Sequence, residues 1–159
     1  MKLRVLAVGR LKEKFYTDAV NEFKKRLSRF AEVELVELAD EPAGEKLSAA
    51  ELERVKLAEG RRILSRIAEG ELVVALDVGG VQLSSTELAE KLNAMMLGGK
   101  SRAAFVIGGS NGLSSEVLAR ADLRLSFSKM TFSHQIFRVM LLEQLYRAFK
   151  IIRGEPYHK

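Results

Sequence analysis

The stretch Phe105-Val-Ile-Gly-Gly-Ser-Asn-Gly-Leu-Ser114 decides how this chain is read. Ala104, Phe105, Val106 and Ile107 form a continuous apolar run, Gly108-Gly109-Ser110-Asn111-Gly112 interrupts it, and a helical pattern restarts at Ser114. The pattern predicts a buried strand ending in a glycine-rich turn. Glycines at such a turn let the backbone take positive φ and let a ligand approach the main chain without meeting a Cβ. In an open parallel sheet ligands sit beyond the carboxyl ends of the strands, so the turn is either a cofactor cradle or a plain strand-to-helix connection. Downstream residues favour the cradle. A second strand-like run, Leu123 to Phe127, feeds Ser128-Lys129-Met130-Thr131-Phe132-Ser133-His134, and a long apolar helix then carries Arg138, Glu143, Gln144, Tyr146 and Arg147. Two polar loops, each at a strand exit, are expected to face one crevice.

At 159 residues, 47% hydrophobic and 30% charged, the chain fits one domain spanning 1–159 with a core of its own. It has no apolar run of the length a membrane span demands, and Met1-Lys-Leu-Arg-Val5 alternates like a strand without a signal-peptide core. The cytoplasm is the expected compartment. Zero cysteines exclude disulfides, thiolate catalysis and cysteine-type zinc sites, and two isolated histidines, His134 and His158, argue against a metal. Of 26 basic and 21 acidic residues, seven basic and only two acidic lie from Leu123 onward, leaving nineteen of each before it. The whole excess of +5 therefore sits beside the polar loops. Such an asymmetry is the footprint of a polyanion-binding surface, with a basic helix face as the simpler alternative.

The remaining segments outline an α/β protein with a mostly parallel sheet flanked by helices. Leu3 to Val8 reads as a first strand stopped by Gly9, and Tyr16, Ala19, Val20, Phe23, Leu27 and Phe30 recur at helical spacing after it. Val33 to Leu38 gives a second strand and Ala39 to Lys46 a loop. Ser48 to Ala68 is helix-like, with Gly60 as a possible break and Glu51, Glu53 and Glu59 expected in exposed ion pairs. Leu72 to Leu76 predicts a third strand, closed by a turn at Asp77 and Gly79-Gly80. Ser84-Ser-Thr-Glu87 fits a capping box for a helix whose stripe is Leu88, Leu92, Met95 and Met96. Gly99-Lys100-Ser101 is not a phosphate loop, because it joins a helix to a strand rather than the reverse. The last helix, from about Gln135 to Arg153, spreads apolar residues over more than one face, which implies a second contact, most simply a homodimer.

Phe105 to Ser114, the Ser-Lys-Met-Thr-Phe loop at Ser128 to Phe132, His134 with Arg138, Glu143-Gln-Leu-Tyr-Arg-Ala148 and the closing Pro156-Tyr-His-Lys159 together resemble the RlmH-type family, the SPOUT-class 23S ribosomal RNA pseudouridine-N3 methyltransferases. The resemblance runs nearly the full length. One position departs: the residue before His134, commonly proline in the family, is Ser133. The resemblance implies a C-terminal deep trefoil knot, a rare exception to the avoidance of knots, and S-adenosylmethionine bound bent in the knotted loops. It carries cofactor contacts onto Leu76, Gly108, Phe127, Ser128, Lys129, Met130, Thr131 and Phe132. The implied partners are 23S ribosomal RNA within the large subunit or 70S ribosome and a second copy of the chain, with no membrane.

Methyl transfer fits what the sequence lacks, since attack on a sulfonium methyl needs an oriented nucleophile but no metal, thiol or carboxylate dyad. N3 of a uracil ring is nucleophilic only once its proton leaves, so a nearby imidazole or cation is useful. His158 with Tyr157 is the expected pair to orient the base or take the proton, and Arg138 with His134 to hold the pocket or an RNA phosphate. Two other classes are weighed against this. A dinucleotide-binding enzyme needs a Gly-x-Gly-x-x-Gly run in the first strand-to-helix unit, where Gly9-Arg10-Leu11 stands instead. A non-enzymatic ribosome-binding module explains the basic segment without a cofactor.

Overall fold

The computed structural model describes all 159 residues, Met1 to Lys159. Ten elements alternate along the chain: β1 (Lys2–Val8), α1 (Lys14–Leu27), β2 (Glu32–Leu38), α2 (Ala49–Leu64), β3 (Leu72–Gln82), α3 (Ser85–Leu97), β4 (Arg102–Ile107), α4 (Ser115–Arg120), β5 (Leu123–Ser126) and α5 (His134–Ile152). The strands form one sheet in the order β2-β1-β4-β3-β5. Every neighbouring pair is parallel. This is the expected α/β architecture, and no helix is long and apolar enough to cross a membrane.

Burial on both faces explains why the central strands read as unbroken apolar runs. Side chains alternate across a strand, so Leu3, Val5, Ala7, Ala103, Phe105 and Ile107 join the core beneath α1, α3 and α5. Leu6, Val8, Ala104 and Val106 point the other way and meet Ile63 of α2 and Val117 of α4. The central strand β4 is buried from Ala103 to Ile107.

Serine side chains start four of the five helices. Ser48 and Ser84 form reciprocal capping boxes with Glu51 and Glu87. Ser114 accepts from the Val117 N–H at the head of α4, and Ser133 from the Ile136 N–H at the head of α5. Ser133 lies at φ −61° and ψ 144°, a backbone conformation that proline also holds, while its side-chain cap on the Ile136 N–H is a bond that proline cannot make.

Five expectations are corrected. The third strand does not stop at Leu76. It bulges at Asp77 to Gly80 and pairs again with β5 through Val81 and Gln82, so Leu125 faces both Leu76 and Val81. Gly80 makes this possible, because a Cβ there would stand 2.6 Å from the carbonyl carbon and oxygen of Arg124 and 2.8 Å from the Leu125 nitrogen. Asp77 is not simply a turn former, since its Oδ2 accepts from Arg124 Nη2 at 2.5 Å across the bulge. Gly60 does not divide α2; it lies buried mid-helix, where a Cβ would meet Ser114 Oγ at 2.3 Å. Glu59 is not in an exposed pair but is 4% exposed. In α3 the buried stripe is Leu88, Ala89 and Leu92, with Met95 and Met96 only half-covered near the helix end.

Candidate functional site

Three strand exits converge at the carboxyl edge of the sheet. Leu76, Asp77 and Val78 come from β3, the Gly108 to Leu113 turn from β4, and the segment after β5 runs past them into α5. Between them lies a cleft of about 470 Å³. The turn is built for close approach. Gly112 sits at φ +86° and its N–H returns to the Gly109 carbonyl at 3.1 Å. A Cβ on Gly108 would stand 3.0 Å from the Gly112 carbonyl carbon and from Leu113 Cδ2. Gly109 and Gly112 bridge each other across the turn, while the main-chain N–H groups of Gly108, Ser110 and Asn111 have no partner within the chain. They are donors available to a ligand.

The segment after β5 is held by its own serines. Ser126 Oγ donates to the Ser128 carbonyl at 3.0 Å, and Ser128 Oγ accepts from the Met130 N–H at 3.0 Å. Phe127 packs on Phe137 with ring centroids 4.8 Å apart, and Phe132 lies 6.2 Å from the same ring. An aromatic wall thus faces the glycine turn.

Of the eight residues expected to touch a cofactor, Leu76, Gly108, Phe127, Ser128, Met130, Thr131 and Phe132 line the cleft. Lys129 does not, although it sits between two residues that do. His134 lines it from the first turn of α5. Burial, and then the charge of Arg138, push its imidazole below the ordinary value of 6.5.

Arg138 has another place. Its side chain is wholly buried and its guanidinium donates to Glu37 Oε2 at 2.8 Å, to the Gly9 carbonyl at 2.8 Å and to the Val8 carbonyl at 3.4 Å, with His134 Nδ1 at 3.3 Å. These contacts tie α5 to the ends of β1 and β2. The RNA-phosphate role is therefore closed to Arg138, while the pocket-holding one stays open, acting through His134.

Tyr157 and His158 lie apart from the cleft in this chain. The tail folds back on the C-terminal half of α5, where Tyr157 donates its hydroxyl to Glu143 Oε1 at 3.0 Å and packs edge-on to Tyr146 at 4.8 Å. Arg147 donates to Glu143 Oε1 at 2.5 Å, covers the Tyr157 ring at 4.7 Å and reaches His158 Nδ1 at 3.4 Å. Burial and the hydrogen bond to Glu143 hold the Tyr157 phenol above its usual range. Glu143 is the hub that sequence reasoning left without a role. Its only signal was its place in the Glu143-Gln144-Leu-Tyr146-Arg147 run. Glu143 also lines a second groove of about 590 Å³, floored by Phe23, Leu88, Ile136, Val139 and Met140 and sharing Phe127 and Phe132 with the cleft.

A family model described as "Predicted SPOUT methyltransferase" matches residues 1–158. The curated "Ribosomal RNA large subunit methyltransferase H" of Acetivibrio thermocellus is 51% identical over 159 residues, covering 100% of both chains. Among solved structures, a probable methylase family protein from Haemophilus influenzae superposes with a TM-score of 0.56 at 15% identity, covering 99% of this chain and 70% of that one. The TrmH/SpoU tRNA modifying enzyme of A. aeolicus gives 0.51 at 15% identity, covering 96% of this chain and 77% of that one. At that identity the two structures speak for the fold alone.

Proposed function

The chain belongs to the SPOUT methyltransferase family, and from that premise we propose that it transfers a methyl group from S-adenosylmethionine to N3 of a pseudouridine in 23S ribosomal RNA. The full-length likeness to a ribosomal RNA large subunit methyltransferase supports the substrate class. The observation that carries the reading is the cleft where three strand exits, a glycine turn with free N–H donors and two phenyl rings meet. A nucleoside with an adenine ring and a charged amino-acid tail fits such a wall.

Leu76, Gly108 and the Phe127 to Phe132 segment would hold the cofactor, main-chain groups reading the base edge and the rings covering it. When bound, the cofactor supplies an electrophilic methyl on a sulfonium. The protein's own task is then to orient the uracil ring, exclude water and receive the N3 proton. His158 and Tyr157 are assigned to the ring and its proton. His134, whose imidazole burial and then Arg138 hold below its ordinary value, is assigned to the pocket wall.

The tail's distance from this chain's own cleft supports a homodimer. The 19-residue α5 is about 28 Å long, begins at the cleft and ends at the tail. Two-fold pairing across the apolar groove about an axis perpendicular to α5 would set two such helices antiparallel and bring one protomer's tail toward the other's cleft. The trefoil knot rests on the family match alone, since the contact of Gly80 with the β5 backbone belongs to the parallel β3–β5 pairing. A single domain of 159 residues has little surface with which to read RNA sequence, so the proposed substrate is the large subunit or 70S ribosome in the cytoplasm.

Calorimetry with S-adenosylmethionine, followed by mass spectrometry of ribosomal RNA incubated with labelled cofactor, tests the reading. Binding followed by label on a 23S pseudouridine is expected. Absence of binding, with RNA affinity kept, would leave the non-enzymatic RNA-binding module.

A further inference from the structure

Beneath the glycine turn, on the side away from the cleft, one turn of α2 supports it from end to end. A Cβ on Gly109 would stand 3.2 Å from both carboxyl oxygens of Glu59. A Cβ on Gly60 would stand 2.3 Å from Ser114 Oγ, and the Lys56 side chain reaches to 4.0 Å of the position a Gly112 Cβ would take. Glu59 is thus packed against the backbone of the loop that lines the proposed cofactor site. No residue in that loop is charged.

Glu59 is also incompletely satisfied. Its side chain is 4% exposed. Oε2 accepts from the Glu41 N–H at 3.2 Å, but Oε1 has no donor. Buried carboxyl oxygens without a partner are rare, because the loss of hydration is not made good. The cations nearby are engaged elsewhere: Lys56 lies 3.7 Å from Glu53, and Arg62 pairs with Glu41 and the Ala39 carbonyl. Burial, joined by the like charge of Asp40 and Glu41 in the β2–α2 loop, holds the carboxyl above the ordinary 4.5 against the Glu41 N–H and Arg62, which act the other way. The unpaired N–H groups of Gly108, Ser110 and Asn111 belong to the same loop whose Gly109 packs on this carboxyl.

We propose that Glu59 is a positioning residue for the glycine turn: its free Oε1 accepts the main-chain N–H of Gly108, Ser110 or Asn111 when the turn closes on the nucleoside, and so fixes how the loop's other amides face the cleft. The proposal rests on the methyltransferase reading of the same cleft. An N–H donated to the carboxylate favours its ionised form, so closure lowers the affinity of Glu59 for a proton. Nucleoside binding therefore releases protons at pH values where the free protein still holds part of a proton on this group, and affinity rises with pH through that range.

The test is calorimetric titration of S-adenosylmethionine into the wild-type protein and a Glu59→Gln variant, each in two buffers of different ionisation enthalpy, with thermal unfolding of the nucleoside-free proteins alongside. The amide keeps the shape of the side chain but neither its charge nor its proton. For the variant, affinity weakened on the order of tenfold is expected, the worth of one hydrogen bond to a charged acceptor, with proton release diminished and the melting temperature not lowered. Equal affinity and equal proton release in the two proteins would overturn the proposal, as would a lowered melting temperature with unchanged affinity, which marks a purely structural acid. A wild-type protein that binds no nucleoside removes the methyltransferase reading itself and this inference with it.

Discussion

His134 and His158, the only two histidines, have opposite environments. His134 is enclosed beside a buried guanidinium, whereas His158 is exposed at the end of a folded-back tail. Because the folded protein holds the His134 imidazole below its ordinary 6.5, the unfolded chain binds more protons at low pH. Stability is then fully present above 6.5 and is lost as pH falls through the depressed folded value. Denaturant titrations are expected to show that decline, and a His134→Gln variant to flatten it. Glu59 carries the opposite sign, contributing below 4.5 and losing its contribution as pH rises through its raised value, so the comparison belongs in a Glu59→Gln background. His158→Ala is expected to lower methyl transfer by about 10²-fold or more, the range of a lost proton-transfer partner, with S-adenosylmethionine affinity kept. Unchanged turnover would remove His158 from the mechanism. The sequence marked both histidines, but not that Arg138 is enclosed: a cation on a helix reads the same whether it faces solvent or three acceptors from distant strands.

At the scale of elements, the pattern was legible wherever two-sided burial writes it. Ala103 to Ile107 declares a central strand because no polar residue is tolerated on either face. The end of β3 was hidden for a physical reason. Asp77 and Gly79-Gly80 have the composition of a turn, yet here they make a bulge whose glycine admits the neighbouring β5 backbone. Gly80→Ala is expected to destabilise the fold by about 3 kcal/mol, since an overpacked site between two main chains has little room to relax. Chemical denaturation measures it, and a loss under about 1 kcal/mol would mean the contact between β3 and β5 is loose. Glu59 was misread for a related reason. In a helix rich in Glu and Arg every acid looks solvated, and only Gly109, brought close by the topology, reveals which one is covered.

For the whole molecule, the excess of apolar surface on α5 pointed to a partner before any coordinates. The structure leaves Ile136 40% exposed, with Met140 and Val139 beside it along the groove. An Ile136→Glu variant is expected to convert a dimer to a monomer in sedimentation, with methyl transfer lost and the monomer's far-ultraviolet circular dichroism unchanged. A wild-type protein that sediments as a monomer at micromolar concentration would dismiss the paired arrangement. The cleft was legible as two loops and is lined by three, because the β3 exit carries no motif of its own beyond Leu76.

The strand order has a consequence for how the chain is made. β4 lies between β1 and β3, yet it is the fourth strand to leave the ribosome during synthesis. Until Ile107 has emerged, the nascent polypeptide holds a β1–β2 pair and a solitary β3, each with an apolar edge bared and no bridge between them. A stalled or prematurely terminated product ending near Lys100 should therefore be a sticky, protease-sensitive intermediate and a natural client for chaperones.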